Sequence, residues 1–384
     1  MCRWRGEVDV TATTEGLRDG ARAERALTEP RGFGDGEAIA AQVADLYECQ
    51  LEILSWRFPC AARVTGELQS RDSGERREII RHPVVRLTLN RAIARAKERG
   101  TLDDMVEAAF EVIAQRMNEF AEVPASLRER TTSHSTFPAP LDAQVAEIFQ
   151  DIIGQAGDVP TVLREPDDDV LDLVDAAGKL MEQHLPLLAP AVFRAARWVG
   201  FVDVSSWKTA TEGDRATLYE SGSVDAFAGA IFVTARAARD PWAMGESLFH
   251  EACHQRYYDV AATRALYKDR RDGTATIKTP WNRAGSNHPN IWSLDKALLA
   301  LHVYVHLVTL FVSASESHEN QARAGADEGL EAGLCRASAR AHYLADAISG
   351  HPGLARDGSE FVEWLRTVLE EIAPAATVSR VMPR

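Results

Sequence analysis

His250 and His254 stand four residues apart with Glu251 beside the first of them, in the run Leu248-Phe249-His250-Glu251-Ala252-Cys253-His254-Gln255. On an α-helix that spacing puts both imidazoles on one face, with roughly 5–6 Å between their Cβ atoms, so both rings can reach one divalent cation. Glu251 then leans its carboxylate toward the ion's ligands. Leu248, Phe249, Ala252 and Cys253 make the surroundings apolar. Two imidazoles and a carboxylate buried there without partners are costly, and a shared metal ion removes that cost. The bland alternative is that both histidines are ordinary helix residues bonded to carbonyls. Cys253 points about 100° away from its neighbours on the helix and is expected to be a small buried hydrophobe rather than a ligand.

Two histidines leave the coordination incomplete; a third protein ligand is expected, with open positions for water or substrate. The metzincin extension requires Gly at 257 and His at 260, where Tyr257 and Val260 stand, so that family is excluded. His302 and His306 form a second pair four residues apart on an apolar helix, and His288, Glu316 and Glu319 are further candidates. A buried histidine on such a helix is more often a hydrogen-bonded core residue, so spacing alone does not choose among them. Glu316 and Glu319 lie in a polar stretch ill suited to a buried ligand.

Two chemistries use the same motif. Histidine-rich coordination with open positions suits Fe(II) and an oxygenase. Zn²⁺ would instead lower the pKa of a bound water toward about 7, with Glu251 as general base of a hydrolase. A third possibility is a non-catalytic scaffold that binds a peptide through the helical N-terminal half.

The stretch from Trp198 to Phe311 resembles a group of bacterial HEXXH-motif peptide-modification proteins, found in gene clusters for ribosomally made, post-translationally modified peptides. The likeness runs through Phe227-Ala228-Gly229-Ala230-Ile231-Phe232-Val233 and the motif itself. It continues with Thr279-Pro280-Trp281 and Leu301-His302-Val303-Tyr304-Val305. Some members are Fe(II)- and α-ketoglutarate-dependent peptide β-hydroxylases. The resemblance therefore implies iron, α-ketoglutarate and a peptide substrate, and it places His302 where that family's helix histidine falls, as the third ligand. In the family an Arg follows the Pro-Trp pair and an Arg-Pro pair comes later. Here Asn282 takes the first position, with Arg283 next to it, and Asn287-His288-Pro289 replaces the second. If those arginines hold the co-substrate's distal carboxylate, Arg283 must substitute, since a guanidinium fork matches a carboxylate bidentately. The alternative for Arg283 is a solvated loop residue. Chains of this group that carry a radical-SAM domain have a CxxxCxxC triple, which is absent.

The elements that must position these residues read as mainly α with a small β element, an α+β chain. Its N-terminal half is helical, and its C-terminal half is a zincin-like strand-plus-motif-helix arrangement with the motif helix beneath a sheet edge. Residues 1–35 are expected to be a flexible tail, 36–135 a helical region and 141–375 the metal-binding catalytic domain, with a polar connection at 124–140. Ile39, Val43, Leu46, Tyr47, Leu51 and Leu54 recur at helical steps from Glu37. Further helices are expected over 75–97, 101–119, 141–153 and 168–183. Trp198–Val204 and Ala228–Thr234 read as strands, with a turn at 220–223 between them. The motif helix is expected over 241–259, capped by Asp240 with Pro241 in its first turn. A polar loop, 268–293, then leads to helices at 294–311, 322–349 and 359–372.

Composition bounds the remaining possibilities. The chain has 384 residues, 45% hydrophobic and 26% charged, with a formal net charge of -14. That balance argues against nucleic-acid binding, which needs a basic surface, and against attachment to an anionic membrane. The most apolar stretch, Ala297–Val312, contains His302 and His306 and is not expected to span a bilayer. No signal peptide is read at the N-terminus. The five cysteines are scattered without a CxxC pair, which points to a reducing cytoplasm. Nothing in the sequence sets an oligomeric state.

Overall fold

The computed structural model describes residues 19–131, 139–154, 162–163, 165–203, 221–223, 225–234, 239–269, 275–281, 290–319 and 327–374. The protein is mainly α-helical, the class expected, and among the described residues its short strands form two small sheets. It folds as two compact units, one of Gly36–Glu182 with Ala189–Thr263, the other of Met1–Asp35, Gln183–Leu188 and Arg264–Arg384. The chain passes between the units at Asp35/Gly36, Glu182/Gln183, Leu188/Ala189 and Thr263/Arg264; the expected division between 135 and 141 falls inside the first unit, and the last crossing falls inside the expected 141–375 domain. A polar connection ends helices locally. Which elements share a core is decided by packing between residues far apart in the chain.

In the first unit the helix Gly36–Ser55 buries Ile39, Val43, Tyr47, Leu51 and Leu54, the stripe that its spacing announces. A helix Pro59–Gln69, opened by its proline, follows. The single helix expected over 75–97 is two, Ser73–Arg81 and Pro83–Arg99. Pro83 lacks an N–H and pushes His82 into extended backbone, so the helix must stop and restart. His82 caps the second piece, its Nδ1 accepting from the Val84 amide at 3.3 Å. The span 101–119 likewise divides into Asp104–Gln115, capped by Asp103, and Met117–Ala121. Two more helices, Ala139–Gly154 and Asp168–His184, lie close to expectation.

The unit's sheet has the strands β1 (Val162–Leu163), β2 (Trp198–Asp203), β3 (Ser221–Gly222) and β4 (Ala230–Thr234), in the order β1-β2-β4-β3. β2 and β4 run parallel with Trp198 opposite Ala230 and Phe201 opposite Val233. All five residues of β4 are buried, which accounts for its continuous apolar run. The turn expected at 220–223 is in part a strand: Ser221 and Gly222 pair antiparallel with Val233 and Phe232. β4 is thus an inner strand.

The second unit corrects the expectation of a tail over its described part. Gly20–Leu27 is a helix with Ala23 and Leu27 fully buried, packed on the helices Leu294–Glu319 and Arg356–Ile372. Glu24 accepts from the amides of Leu187 (2.5 Å) and Leu188 (2.7 Å). The expected loop at 268–293 contains an antiparallel pair, β5 (Thr276–Lys278) and β6 (Ile291–Ser293). Leu294–Glu319 runs eight residues past its expected end. In its polar tail Ser315 and Ser317 turn their hydroxyls back onto the carbonyls of Phe311 and Ser313. The helix is long and apolar enough to cross a membrane by composition, with mean hydropathy 1.9 over its most apolar window, yet 83% of that window is buried inside the protein. It is built as a core helix of its unit. Asp327–Ile348 completes the bundle.

Candidate metal centre

The motif helix, Pro241–Thr263, starts where the Asp240 carboxylate accepts from the Ala243 amide at 2.8 Å, as expected, and runs four residues beyond its expected end. Three contacts within the first unit fix its position. Gln255 is 1% exposed; its Nε2 donates to the Ala230 carbonyl at 2.8 Å and its Oε1 accepts from the Gly229 amide at 2.6 Å. A side-chain amide thereby satisfies the backbone where the chain enters β4. Gly229 sits at φ +91, and an added Cβ would come within 3.2 Å of the Pro83 ring. One turn on from Gln255, Asp259 forms a buried ion pair with Arg86 at 2.8 Å. The Arg86 guanidinium lies over the Tyr47 ring at 5.0 Å. Burial works to discharge Arg86, but Asp259 and Tyr47 outweigh it and hold the guanidinium above its ordinary pKa. Near the start of the helix, Gly245 lets the helix Asp168–His184 approach closely. A Cβ there would meet Met181 Cε at 2.7 Å and the Ala177 carbonyl oxygen at 3.2 Å.

On the helix so placed, the Nε2 atoms of His250 and His254 face each other at 3.0 Å, with ring centroids 4.8 Å apart. Glu251 is 4% exposed. Ligand atoms of all three residues lie within 4.8 Å of one another. Two nitrogens that each stand roughly 2.0–2.1 Å from a common ion are about 3 Å apart, so the separation is compatible with a shared cation; without an ion it is that of a hydrogen bond between the two rings. Burial, with His250 adding to it and Glu251 opposing it, pushes the His254 pKa down to about 4. The ring is therefore neutral near pH 7, the form that ligates. The Tyr258 ring stacks on His254 at 6.4 Å and 23°. In one respect the centre departs from common metal sites. His254 Nδ1 has no hydrogen-bond partner among the described residues, whereas the outer nitrogen of a ligating imidazole usually donates to an oxygen. Here the stacked tyrosine and the packed helix hold the ring instead. Cys253 is fully buried and its thiol is pushed well above its ordinary pKa by burial, as a core side chain and not as a thiolate ligand.

The other candidates belong to the second unit or lie outside the described residues. His302 belongs to the second unit, fully buried on Leu294–Glu319. Its ring stacks on Phe361 at 5.7 Å and stands 4.1 Å from that of His306. His306 Nδ1 donates to the His302 carbonyl at 2.8 Å, a bond within its own helix. Glu316 is exposed and accepts from the Gly20 amide at 3.2 Å, which ties down the start of the Gly20–Leu27 helix. Arg283 and His288, like Asn282, lie outside the described residues, and so does the side chain of Glu319. Trp281 packs edge-on against Trp292 and Tyr343, with Arg340 over its face at 5.4 Å. Sequence reasoning missed Gln255, Asp259 and Arg86. Gln255 directly follows the motif, so its position was visible though its role was not; Arg86 is 173 residues from Asp259 and gives no local signal.

The chain matches no protein-family model and no curated protein.

Proposed function

We propose that this chain is a metal-dependent enzyme in which His250 and His254 hold one divalent ion and Glu251 works beside it. The observation that carries this reading is the pair of Nε2 atoms 3.0 Å apart on a buried helix, next to a buried carboxylate. We further infer that the ion is Fe(II), with α-ketoglutarate as co-substrate and a ribosomally made peptide, or a related amino acid, as the substrate hydroxylated. This finer reading rests on the resemblance of residues 198–311. With it come a zincin-like arrangement around the motif and a cytoplasmic setting; the third ligand and the partner of the co-substrate's distal carboxylate, for which the resemblance names His302 and Arg283, belong to the second unit of the chain. When bound, the ion supplies coordination sites at which co-substrate and oxygen react. The protein's own part is to keep the His254 ring neutral, hold the two imidazoles together through the docked helix and orient Glu251 toward a ligand or water.

A zinc hydrolase is the second reading, and the buried Glu251 beside the pair favours it. There its carboxylate would take a proton from the attacking water. The experiment is anaerobic purification followed by metal analysis and by assay of succinate release with and without candidate peptides. One equivalent of iron with peptide-coupled succinate supports the oxygenase. Zinc with peptide cleavage that Glu251→Gln abolishes supports the hydrolase. His254→Ala is expected to lower metal affinity at least tenfold, and a folded protein that binds no ion at all removes both readings.

A further inference from the structure

On the first unit, with no residue of the histidine motif in its lining, a pocket of about 530 Å³ is lined by five arginines and three glutamates. Arg197, the residue just before β2, is the most deeply set of the arginines. Its side chain is 7% exposed. Its backbone amide is anchored on the Gly229 carbonyl at 2.7 Å, and its Nη1 pairs with Glu78. Arg81 shares the same carboxylate at 3.6 Å and donates from Nη2 to the Arg194 carbonyl at 3.3 Å. Arg130 spends one nitrogen on two backbone carbonyls, those of Phe193 (2.5 Å) and Ala196 (3.0 Å). One glutamate thus serves two guanidiniums, and positive charge remains in excess in a chain whose net charge is -14.

Arg197 Nη2 is buried and has no hydrogen-bond partner among the described residues. A buried guanidinium nitrogen with nothing to donate to costs more than an exposed one. The guanidiniums also feel one another. Burial first, and then the charge of Arg197, pushes Arg130 down to about 10, and the same two causes lower Arg81. Cations held this close are relieved by an anion placed among them.

We propose that this pocket binds a small oxyanion, the phosphate or carboxylate group of a metabolite, with the guanidiniums of Arg197, Arg81 and Arg130 as its charges. A guanidinium matches either group in the same forked geometry, and the volume is that of a small-molecule site. This site is independent of the metal reading, because none of its residues belongs to the motif.

The test follows thermal unfolding of the full chain, stripped of metal by chelator, with increasing phosphate or succinate, against chloride at equal ionic strength. A saturable rise in melting temperature of about 2 °C or more is expected for at least one of the two oxyanions and not for chloride. The one that acts at lower concentration identifies the group. Arg197→Gln should weaken the response at least tenfold. Glu182→Gln, which removes a pocket carboxylate, should tighten it about threefold, and this variant carries the test if Arg197→Gln does not fold. No response, a response shared by chloride, or one that Glu182→Gln leaves unchanged or weakens overturns the proposal.

Discussion

A histidine pair serves as a ligand set only when both rings are neutral and aimed at one point, and neither condition is met by the residues alone. The converging Nε2 atoms follow from helical spacing, which is why His250, Glu251 and His254 could be singled out from their order in the chain. The neutrality of His254 follows from burial, which comes from the fold. Asp259 is the residue on the same helix whose role no spacing shows. Its pair with Arg86 is nearly dry, so removing one partner strands a charge. Asp259→Ala is expected to destabilise the protein by about 3–5 kcal/mol in urea unfolding, whereas Arg86→Met with Asp259→Leu should recover much of that loss. If the single substitution costs under about 1 kcal/mol, the pair does not anchor the helix.

Among elements, the motif helix and β4 act as one piece because Gln255 joins them. Gln255→Leu keeps the volume but leaves the Gly229 amide and the Ala230 carbonyl without partners. A loss of about 2–4 kcal/mol is expected, together with weaker metal binding as the histidine face loses its seat. Unchanged stability would show that water or a neighbour replaces the amide. The strands β2 and β4 were legible because a strand buried on both faces must be an unbroken apolar run. β3 was not, since two residues, Ser221 and Gly222, carry no periodicity and owe their conformation to the neighbouring strand. The break at Pro83 was readable in principle from proline chemistry, but the apolar pattern on either side of it masks the interruption.

At the scale of the molecule, the half-buried His82 and His254 shape the response to acid. Burial first, and then the charge of Arg197, pushes His82 down to about 3 from its ordinary 6.5. The unfolded chain therefore takes up a proton that the folded one refuses. That makes stability complete above about pH 6.5 and has it fall as pH drops toward 3; His254 adds a loss of the same sign down to about 4. The urea midpoint should be lower at pH 4.5 than at pH 7.5. His82→Asn, which can still accept from the Val84 amide, should flatten the dependence; a midpoint indifferent to pH in the native chain would contradict this account.

The amino-acid order by itself determined the helix-rich class, the motif and its face, the two apolar strands and the cap at Asp240. All of these arise from interactions within a few residues, where spacing is a sufficient guide. Only the tertiary structure decided the two units, the helix at Gly20–Leu27, the Arg86–Asp259 anchor and the arginine pocket. These depend on which distant surfaces exclude water together. A side chain's charge and the partners it is left with are set by that burial, which no local pattern of residues records.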